Sequence, residues 1–148
     1  MSGVLVRLAA SEADRQACFA IRIAVFVEEQ GVALREELDE HDVAATQLLA
    51  VEDGRPLGTL RWRVPTPGTA KIERVAVLRE ARGLGLGSLL MDRALAMIGA
   101  ASLGSSVLNA QTAATDFYRR LGFVPEGAPF DEAGIEHIRM RRDTSIPK

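Results

Sequence analysis

Three glycines at every second position, Arg82-Gly83-Leu84-Gly85-Leu86-Gly87, lie between a strand-like run and a helix-like run. Such a turn lets successive backbone N–H groups converge on an anion. No side chain blocks close approach, and the helix that follows adds partial positive charge at its start. The chemistry is that of a phosphate cradle. It is not a dinucleotide-binding turn, which needs G-x-G-x-x-G in a parallel βαβ unit and an acidic residue about 20 residues later. Nor is it a P-loop, because the Lys-Ser/Thr pair is missing. Groups able to carry protons stand elsewhere: Tyr118 is the only tyrosine, Glu73 sits in a strand-like run, and His137 is one of two histidines. Glu28, Glu29, Glu37, Asp39 and Asp42 crowd one polar stretch. A charge-rich stretch is by default a solvated face, and a strand carboxylate here has Lys71 or Arg61 as a ready partner.

The elements that would position these groups follow from periodicity and breakers. Residues 3–9 read as an opening strand, and Ser11 with Asp14 starts a helix in the manner of a capping box. Ala17, Ala20, Ile21 and Ala24 recur at helical spacing, and that helix is expected to end near Val27. The following EEQGVALREELDEHD has no sustained period and reads as a loop with one helical turn. Gln47 to Val51 and Leu57 to Val64 flank Asp53-Gly54, which predicts an antiparallel hairpin closed by Pro65 and Pro67. AKIERVAVL continues as a third, central strand. Leu86 to Ile98 predicts a helix with Leu86, Leu90, Ala94 and Met97 on its apolar face. Ser106 to Asn109 reads as a strand and Thr112 to Leu121 as a helix stopped by Gly122. Phe123-Val124 opens another strand, and the last runs from about His137 to Arg141.

A chain of 148 residues, 47% hydrophobic and 26% charged, has the size and balance of one globular domain spanning 1–148. A net charge of −2 offers no basic footprint for nucleic acid, and no run is long enough to cross a membrane. Cys18, the single cysteine, reads as a small core filler. These features predict a cytoplasmic protein without nucleic-acid or membrane partners, and nothing in the spacing asks for a metal.

The stretch R-x-x-G-x-G at Arg82–Gly87 resembles the acyl-CoA signature of the GNAT (GCN-related) N-acetyltransferase superfamily, and the preceding ERVAV resembles its fourth strand. Ala114, Phe117-Tyr118 and Leu121-Gly122-Phe123 look like the same superfamily's A-x-x-F-Y-x-x-L-G-F segment. The stretches FVEEQGV, ELDEHD, NAQ and EAGIEHIRM, in that order, are similar to its ElaA/YjcF-like subgroup. The resemblance implies an α/β fold: a mixed, mostly antiparallel sheet splayed between its fourth and fifth strands, with flanking helices. It also implies acetyl-CoA as acyl donor, bound by Arg82, Gly83, Leu84, Gly85, Gly87 and Ser88 at the turn and by the backbone of Val75 and Val77. Gln111 stands where many members carry an asparagine that touches the cofactor. Homodimers are common in the family.

Direct acetyl transfer to an amine needs a neutral nucleophile and a proton donor for the departing thiolate. Tyr118 occupies the family's usual acid position, and a phenol's ordinary pKa near 10 lies within about two units of a thiol's. The base stays open among the loop carboxylates, Glu73 and His137, with Glu73 leading. Glu28, Glu29, Asp39, Asp42 and His137 are candidates to receive a small-molecule amine or a peptide amine. Two alternatives are an acyl carrier protein-dependent acyltransferase and a non-catalytic CoA-binding module. Arg22, Phe26, Glu37, Asp39, Asp42, Arg61 and Arg74 resemble the sparse signature of acyl-homoserine-lactone synthases, although the same residues would serve equally to hold the loop to the sheet.

Overall fold

The computed structural model describes residues 3–145; positions 1–2 and 146–148 of the expected domain lie outside it. In chain order the elements are β1 (Val4–Leu8), α1 (Glu12–Arg22), α2 (Leu34–Glu37), β2 (Thr46–Glu52), β3 (Arg55–Thr66) and β4 (Thr69–Val77). Then follow α3 (Leu86–Ala100), β5 (Ser105–Gln111), α4 (Thr115–Arg120), β6 (Val124–Pro125), β7 (Phe130–Glu132) and β8 (Ile135–Asp143). The sheet runs β1-β2-β3-β4-β5-β8-β6, with β7 on β8. Every pairing is antiparallel except β4 with β5, which is parallel.

Alternation along the strands divides the core between two faces. Leu48, Leu60, Ile72, Leu108 and Met140 pack with Leu86, Leu90, Met91, Ala94 and Ile98 of α3. On the opposite face Leu49, Val51 and Ala76 meet Cys18, Ile21 and Val25. Removing such large aliphatics from water stabilises the fold by roughly 1.5–3 kcal/mol each. Cys18 is fully buried and burial pushes its thiol up, so it stays a protonated core filler.

Several details differ from the periodicity reading. β3 runs through Pro65 to Thr66 instead of ending before it, and Thr112–Ala114 is a 3₁₀ turn ahead of α4. The first helix continues past Val27, because Ile23–Glu29 widens into a π-helical segment closed by Gln30 N–H donating to the Val25 carbonyl at 3.1 Å. On α3 the buried face is carried by Met91, Leu95 and Ile98 beside Leu86, Leu90 and Ala94, while Met97 is only half-buried at its edge. β7 was not expected: it has three exposed residues, two of them acidic. It turns into β8 through Ala133 (φ 53°) and Gly134 (φ 78°), a left-handed pair usually announced by Asn-Gly or Asp-Gly rather than Ala-Gly. Among the described residues no helix is long and apolar enough to cross a membrane.

Candidate active site

β4 and β5 pair only from Thr69–Ser105 to Lys71–Val107 and then part, each remaining bonded to its outer neighbour. The gap opens into a cavity of about 630 Å³, walled by Ile72 to Val77 on one side and by Leu108, Asn109 and Gln111 on the other. A bulge shapes the β4 wall. Thr59 faces Ala76, but the next pair is Arg61 with Glu73, so β4 carries one extra residue there. Arg74 takes φ 58° in the bulge, a conformation costing on the order of 1–3 kcal/mol for a side chain of this kind. Its guanidinium holds the strain by donating to the carbonyls of Glu36 (3.1 Å) and Glu37 (3.2 Å) and to Asp39 Oδ2 (3.2 Å).

At the end of β4 the glycine turn leads into α3. Gly83 (φ 80°) and Gly85 (φ 82°) are both left-handed, and a Cβ on either would meet nothing within 4 Å. The face they leave open lies at the N-terminus of α3, whose first turn contains no acid. Gly87 does a different job, since a Cβ there would meet the Phe117 ring at 3.2 Å; its absence lets α3 pack on α4. Leu84 is exposed and Ser88 is half-buried in the first turn of α3. The Arg82 side chain staples the turn in place: Nη1 and Nη2 donate to Glu29 at 2.6 and 2.8 Å, and Nε donates to the Val77 carbonyl at 3.0 Å. Glu29 is thereby committed to Arg82, whose hydrogen bond holds its carboxyl below the ordinary value.

Tyr118 lines the cavity and is 9% exposed, edge-on to Phe117 (4.9 Å) and Phe123 (6.2 Å). Burial pushes its phenol well up, so it holds its proton throughout the neutral range. Glu73 also lines the cavity, but three cations claim it: Arg63 Nε donates at 2.7 Å, Arg61 Nε at 3.3 Å, and Lys71 Nζ lies 3.5 Å away. Burial alone would raise the Glu73 carboxyl, yet the Arg63 hydrogen bond and the charges of Arg61 and Lys71 hold it below the ordinary range. A carboxylate so held is a poor proton acceptor near neutral pH. Gln111 lines the gap and donates to Gln30 Oε1 at 2.8 Å.

The acidic loop is tied down by buried arginines. Arg22, 1% exposed, donates to Glu37 Oε1 (2.9 Å), the Glu37 carbonyl (2.7 Å) and Asp42 Oδ1 (2.6 Å). Arg61, also 1% exposed, donates to Asp42 (2.7 Å) and to both oxygens of Asp39 (2.8 and 2.9 Å). The residues that resemble the homoserine-lactone signature thus meet, Phe26 apart, in one network pinning the loop to the sheet. Of the substrate candidates, Asp39 and His137 line the cavity. Glu28 and Glu29 line a separate, smaller depression with Ala24, Leu78 and Arg79, and Asp42 lines neither.

This network carries a pH dependence. Burial would raise the Asp39 carboxyl, but the hydrogen bond and charge of Arg61 reverse that and bring it from 3.8 to about 2. A carboxyl lowered on folding stabilises the fold above its unfolded value, and that contribution disappears as pH falls through its folded value. Asp42 and Glu73 shift in the same direction, whereas burial pushes Glu37 up and opposes them. The urea midpoint should therefore fall steeply between about pH 4 and about pH 2, with Asp39 contributing on the order of 1–2 kcal/mol after solvent screening. In Asp39→Asn the decline should be shallower; an identical acid profile would show that the Arg61–Asp39 pair carries none of it.

Reading of spacing alone did not single out Gln30, Arg63, Asn109 or Glu132 at the cavity wall. Glu132 accepts from Asn109 Nδ2 at 3.2 Å, a pairing that only the unexpected β7 makes available. Among the described residues no three His, Cys, Asp or Glu side chains are grouped to hold a metal ion.

The family model for the GNAT acetyltransferase domain matches residues 9–144. The uncharacterised N-acetyltransferase YjcF of Bacillus subtilis is 36% identical over 140 residues, covering 92% of this chain and 97% of its own. A crystal structure of an acyl-CoA N-acyltransferase from Pseudomonas aeruginosa superposes with a TM-score of 0.81 at 34% identity, over 94% of this chain and 97% of that one. Escherichia coli ElaA superposes with a TM-score of 0.84 at 25% identity, over 94% and 99%. The parted parallel strands, the open glycine turn and these likenesses agree: the chain belongs to the GNAT acetyltransferase family, is related within it to YjcF and ElaA, and is an acyltransferase.

Proposed function

We propose that the protein moves an acetyl group from acetyl-CoA directly to a primary amine of a small molecule or peptide. One observation carries the reading: the gap between β4 and β5 reaches from Val77 and Arg82, where the open glycine turn begins, to the buried phenol of Tyr118. The turn fits a pyrophosphate, because the space a Cβ would take at Gly83 and Gly85 is empty and Gly85 caps the N-terminus of α3, which has no side-chain cap and no acid in its first turn. Acetyl-CoA supplies the acyl group as a thioester. Arg82 and Glu29 hold the turn, the backbone of Leu84, Gly85, Gly87 and Ser88 binds the phosphates, and Val75, Val77 and Gln111 line the path of the pantetheine arm. Tyr118 gives its proton to the leaving sulfur, and Asp39 and Glu73 fix Arg74, Arg63 and Lys71 at the acceptor wall. A cytoplasmic enzyme is the setting this reading supports.

Gly85→Asp tests the cradle. The substitution puts a side chain at φ 82° and a carboxylate where the phosphates would sit. Calorimetry should show acetyl-CoA binding weakened by at least about tenfold, about 1.4 kcal/mol, and Gly85→Ala should bind more tightly than Gly85→Asp. Parental affinity in Gly85→Asp would remove the turn from the cofactor site.

A further inference from the structure

The EAGIEHIRM stretch turns from Glu132, the last residue of β7, into β8, and the turn brings the Glu132 carboxylate and the His137 imidazole together at the cavity. His137 is 7% exposed, and its Nε2 lies 3.7 Å from Glu132 Oε2. Its Nδ1 lies 2.7 Å from the Ile135 carbonyl oxygen. A carbonyl only accepts, so Nδ1 carries the proton and the lone pair of the neutral ring is on Nε2. Phe130 stacks on the ring at 6.1 Å and 25°, fixing its plane. Glu132 is itself held to β5 by Asn109 Nδ2.

Among the described residues Glu132 is the carboxylate within 4.0 Å of a nitrogen of the His137 ring. On β5 the residue directly opposite His137 is Gln111, a neutral amide that bonds Gln30. On β8 the next residue of the same face, Arg139, donates to Glu126 at 2.8 Å, and Glu136 lies on the other, exposed face. By contrast the other candidate carboxylates on the cavity wall are taken by cations: Glu73 by Arg61, Arg63 and Lys71, Glu37 by Arg22 and Arg74, and Asp39 by Arg61 and Arg74.

We propose that His137 Nε2 is the proton acceptor for the incoming amine, with Glu132 as the positioning residue that stabilises the imidazolium. The assignment rests on the acetyl-transfer reading above. An ammonium acceptor gives one proton to Nε2, and the freed nitrogen lone pair bonds to the acyl carbon as the C–S bond breaks with its electron pair on sulfur. Sulfur takes the Tyr118 proton, and the second proton leaving nitrogen returns to the Tyr118 oxygen. His137 releases its proton to water before the next turnover.

Two measurements test this. Long-range ¹H–¹⁵N spectra of the whole protein saturated with CoA contain two histidine rings, assigned through His41→Gln and His137→Gln. The expected neutral form of His137 is protonated on Nδ1; protonation on Nε2 would overturn the proposal. Thiol release from acetyl-CoA is then followed against pH with the fastest amine of a panel of putrescine, glycine ethyl ester, glucosamine and a free tetrapeptide. His137→Gln should lower kcat/KM by about 10²-fold and abolish its acid limb, and Glu132→Gln should move that limb to lower pH. Glu132→Gln leaves the strand pairing intact, so it serves if His137→Gln fails to fold. A parental acid limb in both variants, with acetyl-CoA still bound, would overturn the His137 assignment alone. Absence of acetyl-CoA binding would instead defeat the acetyl-transfer reading, and without turnover on any amine the ring's protonation state decides.

Discussion

Arg61→Ala should lower the melting temperature by roughly 6–20 °C. The guanidinium is 1% exposed and is shared by Asp39, Asp42 and Glu73, all at 3.3 Å or less. Removing one partner of a buried pair costs about 3–5 kcal/mol, because the remaining charges stay desolvated and unpaired. For a domain of this size each kcal/mol moves the midpoint by about 2–4 °C. Arg61→Lys should recover little, since one ammonium cannot reproduce a fork that spans two carboxylates. Neutralising the orphaned acids in Arg61→Ala/Asp39→Asn/Asp42→Asn should restore part of the loss. Calorimetric scanning checks each step, and a change below about 2 °C in Arg61→Ala would mean that the loop is held by packing instead.

Tyr118→Phe should lower kcat by about 10²-fold or more while leaving acetyl-CoA affinity nearly unchanged. Positioned proton donation is typically worth that factor. Phenylalanine keeps the edge-on contacts to Phe117 and Phe123 and removes only the hydroxyl. The phenol, raised by burial, should also add no alkaline limb of its own between pH 6 and 9, approximately. Parallel calorimetry and thiol-release kinetics separate the two quantities. An unchanged kcat would leave Tyr118 with a packing role alone.

The fold was legible where local chemistry and tertiary packing agree. Asp53-Gly54 announced the β2–β3 hairpin, Gly122 (φ 94°) stopped the helix after Tyr118, and Gly83 to Gly87 announced the turn into α3. β7 escaped because its three residues bury nothing and its turn puts an alanine in the left-handed region. The π-helical widening at Ile23–Glu29 escaped for a related reason: its apolar residues have no period that separates it from an ordinary helix. The bulge at Arg74 is invisible to alternation, because the contacts that hold it join that guanidinium to carbonyls 37 and 38 residues earlier in the chain.

The candidate site was partly legible for the same reason. Glycines at fixed spacing and a lone tyrosine can be read from the residues themselves. Which carboxylate is free cannot, because freedom depends on what the fold brings alongside. Glu73, Asp39 and Asp42 look alike as acids in a sequence, yet Arg22, Arg61 and Arg63 arrive from two other elements to claim them. Glu132 drew no attention as one acid among many, and its relation to His137 depends on a turn that composition does not advertise.

The most direct test of acetyl transfer is thiol release from acetyl-CoA across an amine panel, with the product examined by mass spectrometry. Amine-dependent release of free CoA together with an acetylated amine, lost in Gly85→Asp and strongly slowed in Tyr118→Phe, is the predicted result. Tight binding of acetyl-CoA without amine-dependent release for any class of acceptor would contradict it and leave a CoA-binding module without the transfer chemistry.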